Sequence, residues 1–344
     1  MRAVLCKEFG PADRLEIGEQ PSPQAGPGQI VMSVHACGIQ FVDNRIVEGK
    51  SLLNTTKLDG HYGRSMQVGF PFVPGAEAAG VVKQVGEGVT SVKVGDRILG
   101  TGILGAMAEE VCFREVEICR IPDEMDFETA ACFYVAYFTA YYSLFTRGQL
   151  HAGENLLVLG AASGVGLASI ELGKIAGARV IAAASSDEKL AEAAARGADV
   201  AIKYPSGRLS LSDQKELAGA FKAAGGNHGF DVIADPVGGD YAEPAMRTMA
   251  FKGRYLSIGF AAGIPTVSMH VILNKNGSLI GIEPLTDKWL PGELPEMMAE
   301  LFRWYREKRF HSLVKERYPL SQVGTALRRL AERKVVGRIV LNVQ

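Results

Sequence analysis

The feature that most constrains the fold of this chain is a regular alternation of short apolar segments and helical segments from residue 154 onward. ENLLVLGA is typical of a buried strand, and GVGLASIELGKIAG places apolar residues at helical spacing before a glycine. The alternation continues through ARVIAAA, DEKLAEAAARG, ADVAIKY, LSDQKELAGAFKAAGG, FDVIADPVGG and GRYLSIGF. It predicts an α/β fold with a doubly wound parallel sheet.

The turn between the first strand and the first helix, VLGAASGVGLAS at residues 158–169, predicts a phosphate-binding loop. At such a turn, backbone N–H groups and a helix N-terminus can face a pyrophosphate. The loop departs from G-x-G-x-x-G, because it has alanine and serine in place of the first two glycines. We predict cofactor contacts from Ala162, Ser163, Gly164, Val165 and Gly166. The alternative is a tight turn without a ligand.

The residues after the second strand, in IAAASSDEKL, indicate which dinucleotide the loop would bind. A carboxylate there would hydrogen-bond the 2′-hydroxyl of NAD and repel a 2′-phosphate. This chain instead has Ser185 and Ser186, with Lys189 one turn further on and Tyr204 after the third strand. Asp187 is the opposing evidence, and we interpret it as a first-turn acid of the next helix. Hydroxyls and an ammonium group suit a phosphate, so the sequence predicts NADPH.

Two further strand ends are predicted to border this cofactor. In a doubly wound sheet, the ligand crevice lies outside the carboxyl ends of the strands. Val237 and Gly238 follow the fourth strand, and Gly259 and Phe260 follow the fifth. We therefore expect these four residues to contact the adenosine or the nicotinamide.

The segments on either side of the alternating region have a different character. The first third contains short strand-like runs such as VMSVHACGI and AAGVVKQVG, joined by glycine and aspartate turns. A helix is predicted from Phe127 to Arg147, and a helix near PEMMAELFRWYREKR and a strand GRIVLNV follow the irregular region after 267. We predict one β-rich domain from 1–126 and 267–344, and a nucleotide-binding domain at 127–266.

Composition and charge exclude several classes of function. The net charge of -1 gives no basic surface for nucleic acid or an anionic membrane, and no apolar run has the length of a bilayer span. The five cysteines form no C-x-x-C pair, which argues against disulfides and a structural zinc site. The N-terminus lacks a signal-peptide pattern, so we expect a cytoplasmic protein.

Several segments together resemble one known superfamily. They are PFVPGAEAAGVVKQVGEGVTSVKVGDRILG, AYFTAYYSL, VLGAASGVGLAS, VIAAASSDEKL, FDVIADPVGGD, GRYLSIGFAAGIP and LNKNGSLIGIE. They resemble the medium-chain dehydrogenase/reductase superfamily and, within it, the zinc-free NADPH:quinone oxidoreductases related to zeta-crystallin. The resemblance implies a GroES-like β-rich catalytic domain and a Rossmann NADPH-binding domain, with the nicotinamide held in the cleft between them.

The resemblance also gives meaning to two substitutions. Zinc-dependent members bind catalytic metal through a cysteine after a G-[IV] pair, a Gly-His-Glu histidine and a later cysteine or acid. Here Gln40 stands in place of that cysteine, and Ala76 in place of that histidine. Because neither side chain can replace these ligands, we expect no metal site. The acceptor must then already be electrophilic, such as a quinone or an α,β-unsaturated carbonyl.

Three residues are candidates on the substrate side. Gln40 stands where zinc-free relatives usually carry asparagine, so its amide can donate to a carbonyl oxygen or to the nicotinamide ribose; alternatively it merely ends a strand. Arg45 either polarises a carbonyl or lies on the surface, and Tyr62 either donates a proton or belongs to a surface loop. The resemblance adds Tyr137, Thr139, Asn276 and Asn342 as possible cofactor contacts.

Alternative functions remain open at this point. An enoyl-CoA reductase would want a basic rim, for which Arg303, Arg306, Lys308 and Arg309 are available. A non-catalytic NADPH-binding protein is a second alternative, and an alcohol dehydrogenase would need zinc. The terminal strand GRIVLNV and the sheet segment near GRYLSIGF suggest a homodimer formed by strand pairing.

Overall fold

The computed structural model describes residues 1–50, 69–283 and 293–343. The chain forms two compact units. The first unit comprises Met1–Val135 and Ser312–Gln344, and the second comprises Ala136–His311.

The helices and strands follow one another closely along the chain. The strands are β1 (Arg2–Leu5), β2 (Glu16–Glu19), β3 (Gln29–Ile39), β4 (Glu77–Val85), β5 (Arg97–Thr101), β6 (Glu110–Arg114), β7 (Ile118–Arg120), β8 (Asn155–Leu159), β9 (Arg179–Ala184), β10 (Val200–Lys203), β11 (Phe230–Asp235), β12 (Met249–Ser257), β13 (Ser278–Gly281), β14 (Val314–Pro319) and β15 (Arg338–Asn342). The α-helices are α1 (Phe41–Val47), α2 (Phe127–Ala131), α3 (Thr139–Tyr141), α4 (Gly164–Ile175), α5 (Asp187–Ala195), α6 (Leu211–Gly225), α7 (Ala242–Met246), α8 (Met269–Lys275), α9 (Glu293–Arg306) and α10 (Val323–Ala331).

The second unit is built on a six-stranded sheet in the order β10-β9-β8-β11-β12-β13. Every pairing in it is parallel. Counted from β8, this is the order 3-2-1-4-5-6 of a Rossmann sheet, so the predicted fold class is confirmed. The central strands are almost continuously apolar because both of their faces are buried, as β8 shows.

The first unit is built on a mixed sheet in the order β14-β15-β3-β4-β5-β7, with β6 also paired to β3. Its pairings are antiparallel except that of β14 with β15. β3 lies in the middle of this sheet. Its residues Ile30, Met32 and Val34 are every second residue of the strand, so they share one face and pack into a buried apolar core. This β-rich unit matches the predicted GroES-like domain.

The boundaries between the units differ from the predicted ones, which lie after residue 126 and after residue 266. The structure divides the chain after Val135 and after His311. The second boundary lies later because β13 extends the parallel sheet beyond β12, so the irregular-looking segment after 267 still belongs to the second unit. The tail from 312 does return to the first unit, where β15 pairs with β3.

The helix predicted from Phe127 to Arg147 is not continuous. α2 ends at Ala131, and α3 is flanked by π-helical turns at Tyr134–Phe138 and Tyr142–Arg147. Phe133, Tyr137 and Phe138 are all buried, although they do not share one face of an ideal α-helix. A π turn adds a residue and rotates the following side chains, which allows this aromatic run to be buried.

Neither segment predicted to pair between subunits is a sheet edge. β15 lies between β14 and β3, and β12 lies between β11 and β13. Their backbone groups are already paired on both sides, so neither strand can pair with a second subunit, and the homodimer itself stays a prediction. Among the described residues, none of the helices is both long enough and apolar enough to span a bilayer.

Candidate functional site

The predicted phosphate loop follows β8 and opens α4, and its geometry requires glycine at two positions. Gly160 has φ +58°, and a Cβ there would lie 2.8 Å from Val237 Cγ2. A Cβ on Gly166 would lie 2.3 Å from the carbonyl oxygen of Gly160. The first turn of a helix leaves N–H groups without intrahelical partners. Because α4 begins at Gly164, the N–H groups of Gly164 and Val165 belong to this first turn. The loop therefore presents backbone donors with little side-chain bulk around them.

Ser163 has a structural task in this loop. It is the N-cap of α4, and its Oγ accepts a hydrogen bond of 3.0 Å from the N–H of Gly166. Its hydroxyl hydrogen can still be donated to an anion, so a role in binding phosphate is compatible with the cap.

The end of β9 carries hydroxyl groups and an ammonium group. Lys189 Nζ donates to Ser185 Oγ at 3.3 Å. Ser186 is the N-cap of α5, and its Oγ accepts from the N–H of Lys189. Asp187 is in the first turn of α5, as predicted, and its carboxylate pairs with Lys203 at 2.7 Å. The strand end itself thus has no carboxylate.

Tyr204 connects the end of β10 to the phosphate loop. Its hydroxyl oxygen accepts a hydrogen bond of 3.2 Å from the N–H of Gly160. Its ring packs on Tyr241, with the ring centroids 4.8 Å apart. Tyr204 therefore supports the loop, a role the sequence did not indicate.

The strand ends predicted to border the cofactor come together in the second unit. Val237 packs against Gly160, and Gly238 adopts φ +66°. The N–H of Gly259 donates to the carbonyl oxygen of Asp235 at 3.3 Å, and Phe260 is 38% exposed. The carboxyl ends of β8, β11 and β12 thus share one site. Asp235 was missed by sequence reasoning, although the D-P-V-G-G-D turn could have drawn attention to it.

Two predicted cofactor contacts in this unit require correction. Tyr137 is buried, and its hydroxyl donates to the buried carboxylate of Glu171 at 2.6 Å. Asn276 precedes β13, whose first residue pairs with Arg254, so it lies at the amino edge of the sheet, opposite the phosphate loop. We therefore withdraw both as cofactor contacts. Thr139 is 5% exposed at the start of α3.

The first unit assembles a buried polar cluster around Gln40. Gln40 Nε2 donates to Glu77 Oε2 at 3.2 Å, and Arg338 Nη2 donates to the same oxygen at 2.9 Å. The other oxygen of Glu77 accepts from the N–H of Val135 at 2.9 Å. Gln40 also donates its backbone N–H to Asp43 Oδ2 at 2.8 Å. We call Gln40, Asp43, Glu77 and Arg338 the first-unit polar cluster.

Burial dominates the electrostatics of this cluster. Burial raises the pKa of Asp43 to about 7, although the hydrogen bond from Gln40 and the positive charge of Arg338 act in the opposite direction. Burial likewise raises the pKa of Glu77, and Arg338 again opposes the shift. Asp43 Oδ1 is buried without a hydrogen-bond partner in the described chain. Sequence reasoning identified Gln40 but missed the other three members, which are far apart in the chain.

Three predicted site residues remain, and they are Arg45, Asn342 and Tyr62. Arg45 lies on α1 and is half-buried. Asn342 donates to Glu128 Oε1 at 3.1 Å and pairs with Ala36, about 13 Å along the strand from Gln40. The first unit therefore does not bring Asn342 to Gln40, and a contact of Asn342 with the cofactor stays a prediction. Tyr62 lies outside the described residues.

No group of three or more histidine, cysteine, aspartate or glutamate residues that could hold a metal ion occurs in the described ranges. Ala76 is buried beside Glu77, and the Gln40 amide is hydrogen-bonded to Glu77.

In the predicted basic rim, Arg303 forms ion pairs with Glu300 and Glu307.

Two protein-family models match this chain, one in each part of it. Residues 26–123 match the model of the alcohol dehydrogenase GroES-like domain, and residues 164–303 match that of the zinc-binding dehydrogenase. The chain belongs to the medium-chain dehydrogenase/reductase superfamily, as its sequence predicted.

Relatives over the whole chain define the branch. A quinone oxidoreductase-like protein 2 homolog of Nematostella vectensis is 33% identical, over 99% of this chain and 88% of that protein. The quinone oxidoreductase of Pseudomonas aeruginosa is 31% identical, over 99% of both chains. The chain is therefore a member of the quinone oxidoreductase family. The solved structure of mycobacterial Rv1454c complexed with NADPH is also similar, with a TM-score of 0.89 and 29% identity over 100% of both chains.

Proposed function

We propose that this chain is a zinc-independent, NADPH-dependent reductase of quinones or α,β-unsaturated carbonyl compounds. The end of β9 carries the proposal, because Ser185 and Lys189 meet there and no carboxylate occupies the strand end. A 2′-phosphate is favoured by such donors, whereas the 2′-hydroxyl of NADH usually meets an acid. The similarity to quinone oxidoreductases and to an NADPH complex supports the same assignment.

The second unit has the features that a dinucleotide requires. The N–H groups of Ala162, Gly164 and Val165 would hold the pyrophosphate, because those of Ser163 and Gly166 already donate to Gly160 O and Ser163 Oγ within the loop. Gly160 and Gly166 keep the loop open, because a Cβ at either position would meet a neighbouring atom at less than 3 Å. Ser185, Ser186 and Lys189 would hold the 2′-phosphate. Val237, Gly238, Gly259, Phe260 and Thr139 would border the rest of the molecule. NADPH, when bound, supplies the hydride.

The first-unit polar cluster would act on the acceptor. Glu77 takes one N–H of the Gln40 amide, which leaves the second N–H to donate to a carbonyl oxygen. A donor in a buried setting stabilises the negative charge that develops on that oxygen during reduction. Arg45 lies on α1, the helix that Gln40 caps, and would be a second donor. An amide at 40 and a methyl group at 76 are not zinc ligands, so the proposal needs no metal.

We further propose a cytoplasmic homodimer that pairs along β13. This strand ends the order of the parallel sheet, and Leu279 in it is 44% exposed. Met269 and Leu273 on α8 are 65% and 80% exposed. Sedimentation equilibrium that gives the mass of a single chain would contradict the dimer.

The reductase is tested by following NADPH oxidation with chelator-treated protein. The acceptors are an ortho-quinone, a para-quinone, a simple enone and crotonyl-CoA, each also with NADH. We expect chelator-insensitive turnover of quinone or enone with NADPH. Preference for crotonyl-CoA would instead identify an enoyl-thioester reductase, and NADPH binding without any turnover would identify a binding protein.

A variant tests the residue that carries the proposal. Lys189→Ala is expected to weaken NADPH binding about tenfold and to leave NADH binding unchanged, because only NADPH carries the 2′-phosphate. Lys222→Ala, an exposed lysine on α6, is the control and should change neither. Equal losses for NADPH and NADH would contradict this role of Lys189.

A further inference from the structure

We propose that Asp235 is a positioning residue for the cofactor, because it fixes the two loops that follow β11 and β12 in one arrangement. The inference rests on the proposed function, since the loops concerned are those that would border NADPH. It assigns a role to a residue that the proposed function does not use.

The side chain of Asp235 shapes the first loop. Asp235 is the last residue of β11, and its Oδ1 accepts from the N–H of Val237 at 2.7 Å and of Gly238 at 2.9 Å. One carboxylate oxygen therefore closes the turn back onto the strand end. This turn holds Val237 in the position where it packs against Gly160 of the phosphate loop.

The same residue holds the second loop. The carbonyl oxygen of Asp235 accepts from the N–H of Ile258 at 2.9 Å and of Gly259 at 3.3 Å. Its other carboxylate oxygen, Oδ2, accepts from the hydroxyl of Tyr255 on β12. Asp235 is thus a node that bonds the end of its own strand, the next strand and both loops.

The two loops that follow β11 and β12 are also hydrogen-bonded directly to each other. The N–H of Ala262 donates to the carbonyl oxygen of Val237 at 2.7 Å, and the N–H of Gly239 donates to that of Gly263 at 2.8 Å. A displacement of the first loop would therefore carry the second with it. The two loops would therefore gain or lose their cofactor contacts together. These contacts are the ones proposed for Val237, Gly238, Gly259 and Phe260.

The charge of Asp235 supports a role in geometry rather than in stability. The residue is 1% exposed, and no cationic side chain of the described residues pairs with it. Burial raises its pKa, while the hydrogen bonds from Tyr255, Gly238 and Val237 favour the ionised form. Burying a carboxylate is costly, and an apolar pair would fill the space without that cost. The carboxylate does supply acceptors for three donors at once.

The test measures NADPH dissociation constants by cofactor fluorescence, with the melting temperature of each cofactor-free variant. Asp235→Ala removes the side-chain bonds to the first loop and to Tyr255 but keeps the backbone carbonyl that holds the second loop, and it should raise the dissociation constant at least about tenfold. Asp235→Asn should stay within about threefold of the wild type, because its amide oxygen can face both N–H groups while its NH₂ donates to the Tyr255 oxygen. Tyr255→Phe should fall between them.

Asp231→Ala is the matched control. Asp231 lies near the opposite end of β11 and accepts from the N–H of Asn155 at 2.8 Å. Its replacement should lower the melting temperature and leave NADPH affinity unchanged. If Asp235→Ala behaves in the same way, the positioning role is overturned and the residue is merely structural.

Two other outcomes are informative. If Asp235→Ala does not fold, weaker NADPH binding by Tyr255→Phe than by Asp235→Asn supports the role, and wild-type affinity in both overturns it. A wild type that binds neither NADPH nor NADH overturns the proposed function itself. A wild type that binds one of them, with variants that all match it, overturns only this inference.

Discussion

The two units build their candidate sites in opposite ways. In the second unit, the phosphate loop from Gly160 to Gly166 is continuous in sequence, and its donors are backbone N–H groups. In the first unit, the polar cluster joins side chains from three distant segments, and Arg338 is 261 residues from Glu77. Backbone donors depend on the shape of the chain, whereas the cluster depends on charge balance. Steric changes should therefore harm one site, and changes of charge the other.

The largest expected effect comes from the ion pair in the cluster. Arg338→Met leaves Glu77 buried with an uncompensated charge, which should cost about 3–5 kcal/mol of unfolding free energy. Urea denaturation measures the loss. The double variant Glu77→Gln with Arg338→Met should recover a large part of it, because the isolated charge is then gone.

Lys203→Ala is the control for the ion pair, since Lys203 and Asp187 are paired on the surface with 55% and 84% of their side chains exposed. Its cost should be about 0–1 kcal/mol. Equal losses for Arg338→Met and Lys203→Ala would show that charge balance does not distinguish the cluster.

The next effect is steric and falls on the loop. Gly166→Ala places a Cβ 2.3 Å from the carbonyl oxygen of Gly160 unless the loop shifts, so we expect a loss of about 1–3 kcal/mol in stability. NADPH binding, followed by fluorescence, should weaken at least about tenfold.

Gly219→Ala provides the comparison, because Gly219 lies within α6 and a Cβ there would meet no atom within 4 Å outside the helix's own backbone. The substitution should stabilise the protein by about 0.5–1 kcal/mol, the helix preference for alanine over glycine. If Gly166→Ala also stabilised the protein and bound NADPH normally, the tight loop geometry would be refuted.

The smallest effect is a dependence on pH. Burial raises the pKa of Asp43 from 3.8 to about 7, so the folded state binds a proton that the unfolded state has released. Stability from this group is present at low pH and is lost as pH rises through 7. Between about pH 6 and about pH 7 the loss should be about 1 kcal/mol, and Asp43→Asn should remove it. Identical pH profiles for the two proteins would contradict the shift.

Much of the fold could be predicted because its signals are local. The parallel sheet follows from apolar strands and helices that alternate within a few residues, as in β8 and α4. The interrupted helix after Phe127 could not be predicted, because burial of Phe133, Tyr137 and Phe138 decided it. The second boundary was missed because β13 has exposed residues and resembles an irregular segment, although it pairs with β12.

The same limit holds for the candidate sites, where features that are local in sequence could be predicted and those that depend on tertiary structure could not. That Ser185 and Lys189 lie together could be predicted because the strand end and the helix start are adjacent in sequence, while their role towards a phosphate stays a prediction. Asn276 and Tyr137 were misplaced, since the edge of the sheet and the direction of a buried side chain depend on tertiary structure. Asp43, Glu77 and Arg338 carry no motif of their own, and only folding brings them together.

The position of β15 has a consequence for synthesis on the ribosome. The first unit's sheet has β15 between β3 and β14, yet β15 is translated after the whole second unit. Until it emerges, β3 lacks one neighbour and Glu77 lacks the guanidinium that balances it. The second unit is complete in sequence before the first, so the sheet of the first unit can close only after the second unit has been made.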